Sequence, residues 1–310
     1  MAHCPLCRRE APETAGDRPG FLACRCGVTS LTPFPSADRT VQLYQEEYYQ
    51  ETTGERFLSL AERFVVALRG LRVKAILRRQ PGPGRILDLG CGRGELLELF
   101  ERQGWQAMGT QISQTAAAAA RALRGVDVRL GELPEMGLEA ATFDVITAFH
   151  VVEHLQDPRA YLKEARRLLR PEGLLVIEVP NLACPGFRFL GTRDLCFDYP
   201  HHLFFFTPES LGRLLGEAGF TVNEISHFSL EYSPFTTLQN LLNALPGSPN
   251  RLYRSLMNNR ESLRLRKEPL TWLHWGLAAV LGVPALVLAL AGLALPLGNT
   301  IRLYCRPTAT

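Results

Sequence analysis

The chain has 310 residues, 46% of them hydrophobic, so it can bury a full core in one large domain with appendages. Its 34 basic and 31 acidic residues nearly cancel to a formal net charge of +3, which does not indicate a nucleic-acid partner. The first residues lack the basic-then-apolar pattern of a secretory signal, which favours a cytoplasmic location. Eight cysteines in that reducing compartment indicate metal ligands and buried thiols rather than disulfides.

Four of the cysteines lie in the first segment, residues 1–35, which is rich in Cys, Pro and Gly. Two residues separate Cys4 from Cys7, and one residue separates Cys24 from Cys26. Two neighbouring cysteine pairs resemble a structural zinc site with four thiolate ligands, although the second pair has one intervening residue where two are usual, and His3 is a possible substitute ligand. The alternative is a set of unpaired thiols in a flexible segment. The pattern predicts a small zinc-knuckle-like module.

The next segment, residues 36–80, predicts a helical lid or linker. Apolar residues recur there every three to four positions from Leu58 to Ile76, which is the spacing of one helix face. Tyr48 and Tyr49 lie in its aromatic first half and are candidates for a lid over a cleft, or for core positions. A Pro-Gly-Pro-Gly run at 81–84 ends the segment.

From residue 85 onward, short apolar runs alternate with helical stretches. Strands are predicted at 85–89, 106–111, 126–130, 143–149, 174–179 and 221–228, with a seventh at 299–306. Helices are predicted at 95–103, 114–123, 160–169 and 208–218. This alternation predicts an α/β domain over 81–230, completed by 299–310, with helices on both faces of a mostly parallel sheet.

A helical insertion, residues 231–298, separates the last two predicted strands. Residues 275–297 carry no charge and reach the roughly 20 residues of a membrane span. A single span is excluded if the last strand rejoins the sheet, because both ends then lie on one side of the membrane. We therefore predict interfacial contact of 270–297 with the inner face of the cell membrane, where the basic stretch 260–267 favours anionic head groups. The alternative is a helix that covers the protein's own surface.

A glycine-rich turn follows the first predicted strand and carries the strongest chemical signal. Gly90, Gly92 and Gly94 allow the backbone to pass close beneath a ligand, where a Cβ would collide. Nicotinamide and flavin proteins use similar turns, but this one ends without their pyrophosphate-binding spacing. Asp88, two residues before the first glycine, can accept hydrogen bonds from a cationic ligand.

Motifs after the other strands occur in a consistent order: Gln111-Ile112, Glu132-Leu133, Phe149 with His150-Val151-Val152-Glu153-His154, and Val179-Pro180-Asn181. This series resembles the class I S-adenosylmethionine (SAM)-dependent methyltransferases over residues 85 to about 228. The resemblance implies a Rossmann-like seven-stranded sheet and SAM as cofactor. The SAM-binding residues that it implies are Asp88, Gly90, Cys91, Gly92, Gly94, Gln111, Ile112, Glu132, Leu133 and Phe149. Gln111 stands where the family usually has an acidic residue that binds the ribose hydroxyls.

Histidines near the fourth strand provide candidates for catalysis. His150, Glu153 and His154 fall on one face if their segment is helical, and a loop could bring His202 over the same cleft. They resemble the Glu-x-x-Glu-His metal site of ubiquinone-biosynthesis and small-RNA 2′-O-methyltransferases, with His150 in place of the first Glu. Three imidazoles and one carboxylate suit Zn, Mn or Fe better than Mg. The alternatives are a metal-free general base at His202 and a purely structural role.

These features predict a SAM-dependent methyltransferase that methylates a hydroxyl on a small or lipid-linked acceptor. The N-terminal module resembles that of bacterial methyltransferases associated with sugars and cell-surface polymers. One alternative is an RNA methyltransferase. Another is an inactive SAM-binding regulatory or scaffold protein, for which Gln111 and His150 would be the marks. A nicotinamide-linked oxidoreductase is a third.

Overall fold

The computed structural model describes residues 2–11, 20–36, 39–40, 59–247, 249–257 and 259–308. Two short hairpins form the N-terminal module, built from β1 (Ala2–His3), β2 (Glu10–Ala11), β3 (Phe21–Ala23) and β4 (Thr29–Leu31). Of the predicted helical segment, the described part contains helix α1, Ser59–Leu77. The candidate lid residues Tyr48 and Tyr49 lie outside the described residues.

A seven-stranded sheet forms the centre of the main domain. Its strands are β5 (Arg85–Leu89), β6 (Gln106–Gln111), β7 (Asp127–Leu130), β8 (Phe143–Phe149), β9 (Leu169–Pro180), β11 (Phe220–Ser226) and β12 (Thr300–Pro307). The short strand β10 (Phe204–Phe205) is not part of this sheet and pairs with β4 of the N-terminal module. The strand order is β11-β12-β9-β8-β5-β6-β7, and only β12 runs antiparallel to its neighbours. The predicted α/β fold with a Rossmann-like seven-stranded sheet is confirmed.

Helices cover both faces of this sheet, because neighbouring residues of a strand point to opposite sides. The helices are α2 (Glu95–Glu101), α3 (Gln114–Arg124), α4 (Pro158–Leu168), α5 (Pro185–Leu190) and α6 (Pro208–Glu217). Leu87 and Ile146 belong to the core that holds α4, α6 and the N-terminal module. Ile86 and Val145 belong to the core that holds α1, α2 and α3. Both faces of the central strands are therefore buried.

The order of the sheet reverses between β5 and β8, which are parallel neighbours with Asp88 opposite Thr147. Chains leave two such strands toward opposite faces, which opens a crevice at their carboxyl ends. The fold therefore places the end of β5, with Asp88, and the end of β8, with Phe149, at the same edge of the sheet.

The insertion between β11 and β12 is helical, with α7 (Ser233–Asn243), α8 (Arg251–Leu256), α9 (Arg260–Leu265) and α10 (Pro269–Leu290). Helix α10 packs against α7 and α8, and the chain then returns to the sheet as β12. Among the described residues, one helix, Pro269–Leu293 with its final turn, is long and apolar enough to cross a membrane.

Candidate active site

The turn after β5 needs its glycines for two different reasons. Gly90 and Gly94 have φ angles of +60° and +79°, and a Cβ on either would lie 2.7 Å from Val151 or Val126. Gly92 also has a positive φ, +56°, but no described atom comes within 4 Å of the place its Cβ would take. Gly90 and Gly94 thus allow close packing inside the protein, while Gly92 leaves open space where a ligand can approach the backbone.

A cavity of about 110 Å³ opens above this turn. The side chains and backbone that line it come from Arg69, Arg72, Asp88, Gly90, Cys91, Gly92, Glu95, Leu96, Phe149 and Tyr232. Asp88 is only 5% exposed, and Thr147 donates a 2.6 Å hydrogen bond to its carboxyl group. Burial raises the pKa of Asp88 to about 7, so a cation bound in this cavity would favour the ionised carboxylate.

Two arginines of α1, which no motif in the sequence marks, form the other wall of the cavity. Arg69 forms 3.0 Å ion pairs with both Glu95 and Glu231. Arg72 is buried, lies 2.7 Å from Glu231 and 3.2 Å from Glu178, and holds its guanidinium 3.8 Å from the centre of the Phe149 ring. The cavity therefore presents a carboxyl group on the sheet side and guanidinium groups on the helix side, as the zwitterionic end of SAM requires.

Five of the predicted SAM-binding residues lie outside the lining of this cavity, namely Gly94, which packs inside the protein, and Gln111, Ile112, Glu132 and Leu133. The Gln111 side-chain oxygen accepts hydrogen bonds from the backbone N–H groups of Ile112 (2.9 Å) and Ser113 (3.2 Å), so this amide can offer a ligand only its N–H donors. Ile112 is 42% exposed and Leu133 is fully buried. The Glu132 carboxylate accepts a hydrogen bond from the Tyr161 hydroxyl. Ile112 therefore has surface that a ligand beyond the enclosed part of the cavity can contact, whereas Leu133 has none.

His150 adopts a left-handed conformation, φ +55°, at the end of β8. Its Nδ1 is 3.1 Å from Glu153 and its Nε2 is 3.4 Å from Glu178. Burial lowers the pKa of this imidazole, but the two carboxylates outweigh burial and raise the pKa to about 9. His150 is therefore an imidazolium held between two buried carboxylates, and its ring also packs 4.3 Å from that of Tyr232 in the cavity wall.

The structure brings Glu153, His154 and His202 together, with one potential ligand atom from each within 4.8 Å of the others. The Nδ1–H groups of His154 and His202 each donate a 3.0 Å hydrogen bond to a backbone carbonyl, that of His201 and that of Cys196. In this tautomer each Nε2 is unprotonated and carries a lone pair that can bind a metal. Burial lowers the pKa of both rings, that of His202 to about 4, so both are neutral near pH 7.

Glu153 completes this cluster as the anionic member. Burial alone would raise its pKa, but the hydrogen bond from His150 and the nearby histidines lower it instead. One carboxylate oxygen accepts the bond from His150, whereas the other, Oε2, is buried without a hydrogen-bond partner among the described residues. Two neutral imidazoles and a carboxylate with an unpaired oxygen fit a divalent transition metal. His150 lies next to this cluster rather than in it, because both its nitrogens face carboxylates.

The four N-terminal cysteines also converge. All four sulfurs lie within 4.8 Å of one another, with Cys7 and Cys24 separated by 3.4 Å and Cys4 and Cys26 by 3.9 Å. Thiolates bound to one tetrahedral zinc are about 3.8 Å apart, given a Zn–S distance of about 2.3 Å. The cluster therefore fits a structural zinc ion.

The sheet order, the glycine turn and the charged cavity together define a SAM-dependent methyltransferase. The chain belongs to the methyltransferase domain family, because residues 61–225, more than half of the chain, match that family.

Individual relatives agree with this assignment. The chain is 28% identical to the ubiquinone biosynthesis O-methyltransferase of Xanthomonas axonopodis pv. citri, over 60% of this chain and 87% of that protein. It is 33% identical to a Mycolicibacterium smegmatis protein named as a probable S-adenosylmethionine-dependent methyltransferase, over 45% of this chain and only 52% of that protein. A SAM-dependent methyltransferase structure from Archaeoglobus fulgidus matches with a TM-score of 0.50 at 20% identity, over 86% of this chain and 99% of that one, which shows the shared fold.

Proposed function

We propose that this methyltransferase transfers the methyl group of SAM to a hydroxyl oxygen of a small or lipid-linked acceptor, with a divalent metal held by Glu153, His154 and His202. The observation that carries the proposal is the cluster of Glu153, which has an unpaired, buried oxygen, with two neutral imidazoles, one potential ligand atom of each residue lying within 4.8 Å of the others. The name of the Xanthomonas relative, an O-methyltransferase, points to the same type of acceptor.

The protein's own groups have distinct roles in this proposal. Asp88 accepts hydrogen bonds from the α-ammonium group of SAM, and Arg72 binds its carboxylate. His150 neutralises Glu153 and Glu178 and fixes the carboxylate of Glu153 in its orientation. Because His150 contacts both Tyr232 in the cavity wall and Glu153, the cofactor cavity and the cluster adjoin each other. The bound metal would lower the pKa of the acceptor hydroxyl, so that the hydroxyl oxygen becomes a better nucleophile.

The pKa values favour this metal-assisted mechanism over a metal-free one. A general base works best when its pKa lies near the operating pH. Burial lowers the pKa of His202 to about 4, so this ring is too weak a base to take the hydroxyl proton near neutral pH, and burial also lowers the pKa of His154. Neutral imidazoles of this kind are, however, good metal ligands.

The test uses Glu153→Gln, with Glu172→Gln at an exposed position as the matched control. We expect the Glu153 variant to lose one equivalent of bound metal by elemental mass spectrometry and to transfer labelled methyl to phenols or prenylated phenols about 100-fold more slowly or worse. SAM affinity, measured by calorimetry, should stay within a few-fold of wild type. Full methyl transfer by metal-stripped wild-type protein would contradict the metal-assisted mechanism. Transfer only to RNA or to nitrogen acceptors would contradict the hydroxyl acceptor.

We also propose a structural zinc ion at Cys4, Cys7, Cys24 and Cys26. The module is attached to the catalytic domain, since β4 pairs with β10 and Phe21 packs 5.5 Å from Phe205 between ring centres. Zinc loss should therefore lower the thermal stability of the whole chain. Cys26→Ser should reduce the zinc content by one equivalent and lower the Tm, whereas Cys305→Ser should leave the zinc content unchanged. Equal zinc content in both variants would exclude this site.

A further inference from the structure

Helix α10 buries small or polar side chains and exposes large apolar ones. Small or polar side chains, such as Thr271, His274, Ala285 and Ala289, are buried against the protein. Large apolar side chains face outward, namely Trp272, Leu273, Trp275, Val280, Val283, Leu286, Val287, Leu288 and Leu290. A helix on the surface of a soluble domain normally does the opposite.

This exposed surface is also broad. At about 100° per residue, the outward positions extend over roughly 220° of the helix circumference. The surface continues past the helix through Leu293, Leu295 and Leu297, which are 66%, 49% and 45% exposed. A protein partner would cover one side of such a helix, whereas lipid chains can surround all of its exposed sides.

Charge changes abruptly at the start of this surface. Residues 251–268 contain six basic and two acidic residues, whereas residues 269–301 contain no Asp, Glu, Lys or Arg. Arg264 and Lys267 are exposed beside the first turn of α10, where Trp272 and Trp275 also lie. Basic residues and tryptophans next to an apolar surface are the arrangement found at the boundary between lipid head groups and chains.

Both ends of the segment are held by the catalytic domain. The Asn181 side chain donates a 2.8 Å hydrogen bond to the Gly298 carbonyl, its backbone N–H donates one of 2.9 Å to Asn299, and β12 then pairs with β9. At the other end α10 packs on α7, which directly follows the cavity residue Tyr232. The helix therefore stays on the protein surface and does not cross a bilayer as an isolated span.

We propose that the outward face of α10 inserts into the interface of a membrane containing anionic lipids and holds the enzyme on that membrane. The insertion is in the plane of the bilayer, with the basic residues of 251–268 at the head groups. This docking does not depend on which acceptor the enzyme methylates, so it can fail or hold independently of the proposed reaction.

The test is flotation of the full chain with vesicles of phosphatidylcholine alone or mixed with phosphatidylglycerol. The variant is Val283→Glu with Val287→Glu, at positions that are 70% and 62% exposed. The matched control places glutamates at Leu71 and Leu123, which are 47% and 58% exposed on other helices. SAM affinity and the Tm of every variant report whether it is folded.

We expect wild type and control to float with the anionic vesicles, and the Val283/Val287 variant to need about tenfold more lipid or worse, because carboxylates must approach the hydrocarbon. Binding to the neutral vesicles should be weaker. Vesicle binding by the variant equal to that of wild type would overturn the proposal. A wild-type dimer that ignores vesicles and that the variant dissociates would assign this face to a second copy of the chain instead.

Discussion

Replacing Asp88 with Asn tests two effects of the buried carboxylate separately: how far it lowers the stability of the ligand-free protein, and how far it strengthens the binding of a cationic ligand. Asn has nearly the same shape, and its amide oxygen can still accept the hydrogen bond from Thr147, which is 2.6 Å from the Asp88 carboxyl in the wild type. The substitution therefore removes the charge and little else. We expect the ligand-free protein to become more stable and SAM binding to become weaker.

The magnitudes follow from the pKa of Asp88, which burial raises from 3.8 to about 7. The folded state holds this proton more tightly than the unfolded state, so each pH unit between about 4 and 7 costs roughly 1.4 kcal/mol of stability. At about pH 8 the ionised carboxylate thus destabilises the ligand-free protein by up to about 4 kcal/mol, which Asp88→Asn recovers. Losing one partner of a buried charge pair costs about 2–5 kcal/mol, so SAM affinity should fall at least about 30-fold.

The assay is calorimetric titration with SAM, together with urea unfolding, from about pH 6 to about pH 9. Wild-type affinity should fall by up to about tenfold per pH unit below pH 7, because SAM binding then requires Asp88 to release its proton, whereas the variant should lose this pH dependence. The control is Asp157→Asn, an exposed N-cap of α4 that Asn serves equally well. If the Asp88→Asn protein binds SAM as tightly as wild type, or unfolds more easily at about pH 8, then Asp88 is not a buried carboxylate that is ionised to bind a cation.

Three further predictions concern the same region. His150→Asn keeps a residue type that is tolerated at φ +55° but leaves Glu153 without its cation. Urea unfolding should therefore show a loss of about 3–5 kcal/mol in the free energy of unfolding, which is full below about pH 6.5 and fades above about pH 9. A loss that does not change across this pH range would contradict a role for the charge of His150. Arg72→Met removes the guanidinium that lies 3.8 Å from the centre of the Phe149 ring but keeps a side chain of similar length, and calorimetry should show SAM affinity about tenfold lower or worse, with no change in affinity counting against its role. Gly92→Ala should lower the free energy of unfolding, measured by thermal unfolding, by only about 1 kcal/mol, and it should weaken SAM binding. Gly94→Ala should lower the free energy of unfolding several times more, because its Cβ would lie 2.7 Å from Val126. Equal stabilities of the two variants would contradict this difference.

The sequence predicted the sheet well because its central strands are buried on both faces. Such strands appear as runs in which apolar or small residues predominate, and the predicted strands at 85–89, 106–111 and 143–149 have the observed bounds. The largest difference is β9, which begins at Leu169, five residues before the predicted start. It follows α4 without a loop, so no turn residue marks its first half.

The site was predictable where it depends on local sequence, as in the glycine turn with Asp88, and not where it depends on packing. Arg72 and Glu178 are 106 residues apart and meet only through the fold. One signal was available, because Glu178 is a carboxylate inside the otherwise apolar run 174–179. His150 was expected on one helix face with Glu153, but a left-handed φ at His150 and a 3₁₀ turn, Val152–His154, replace that helix.

Glu178 links the last strand of the sheet to the buried charges around His150. Glu178, which helps to hold His150, is 2.6 Å from the Arg302 guanidinium on β12, and β12 follows the apolar insertion in the chain. The buried charges around His150 are therefore balanced only when the chain has passed through the helical insertion and returned to the sheet as β12, so a change in the insertion that displaces β12 would also disturb these charges.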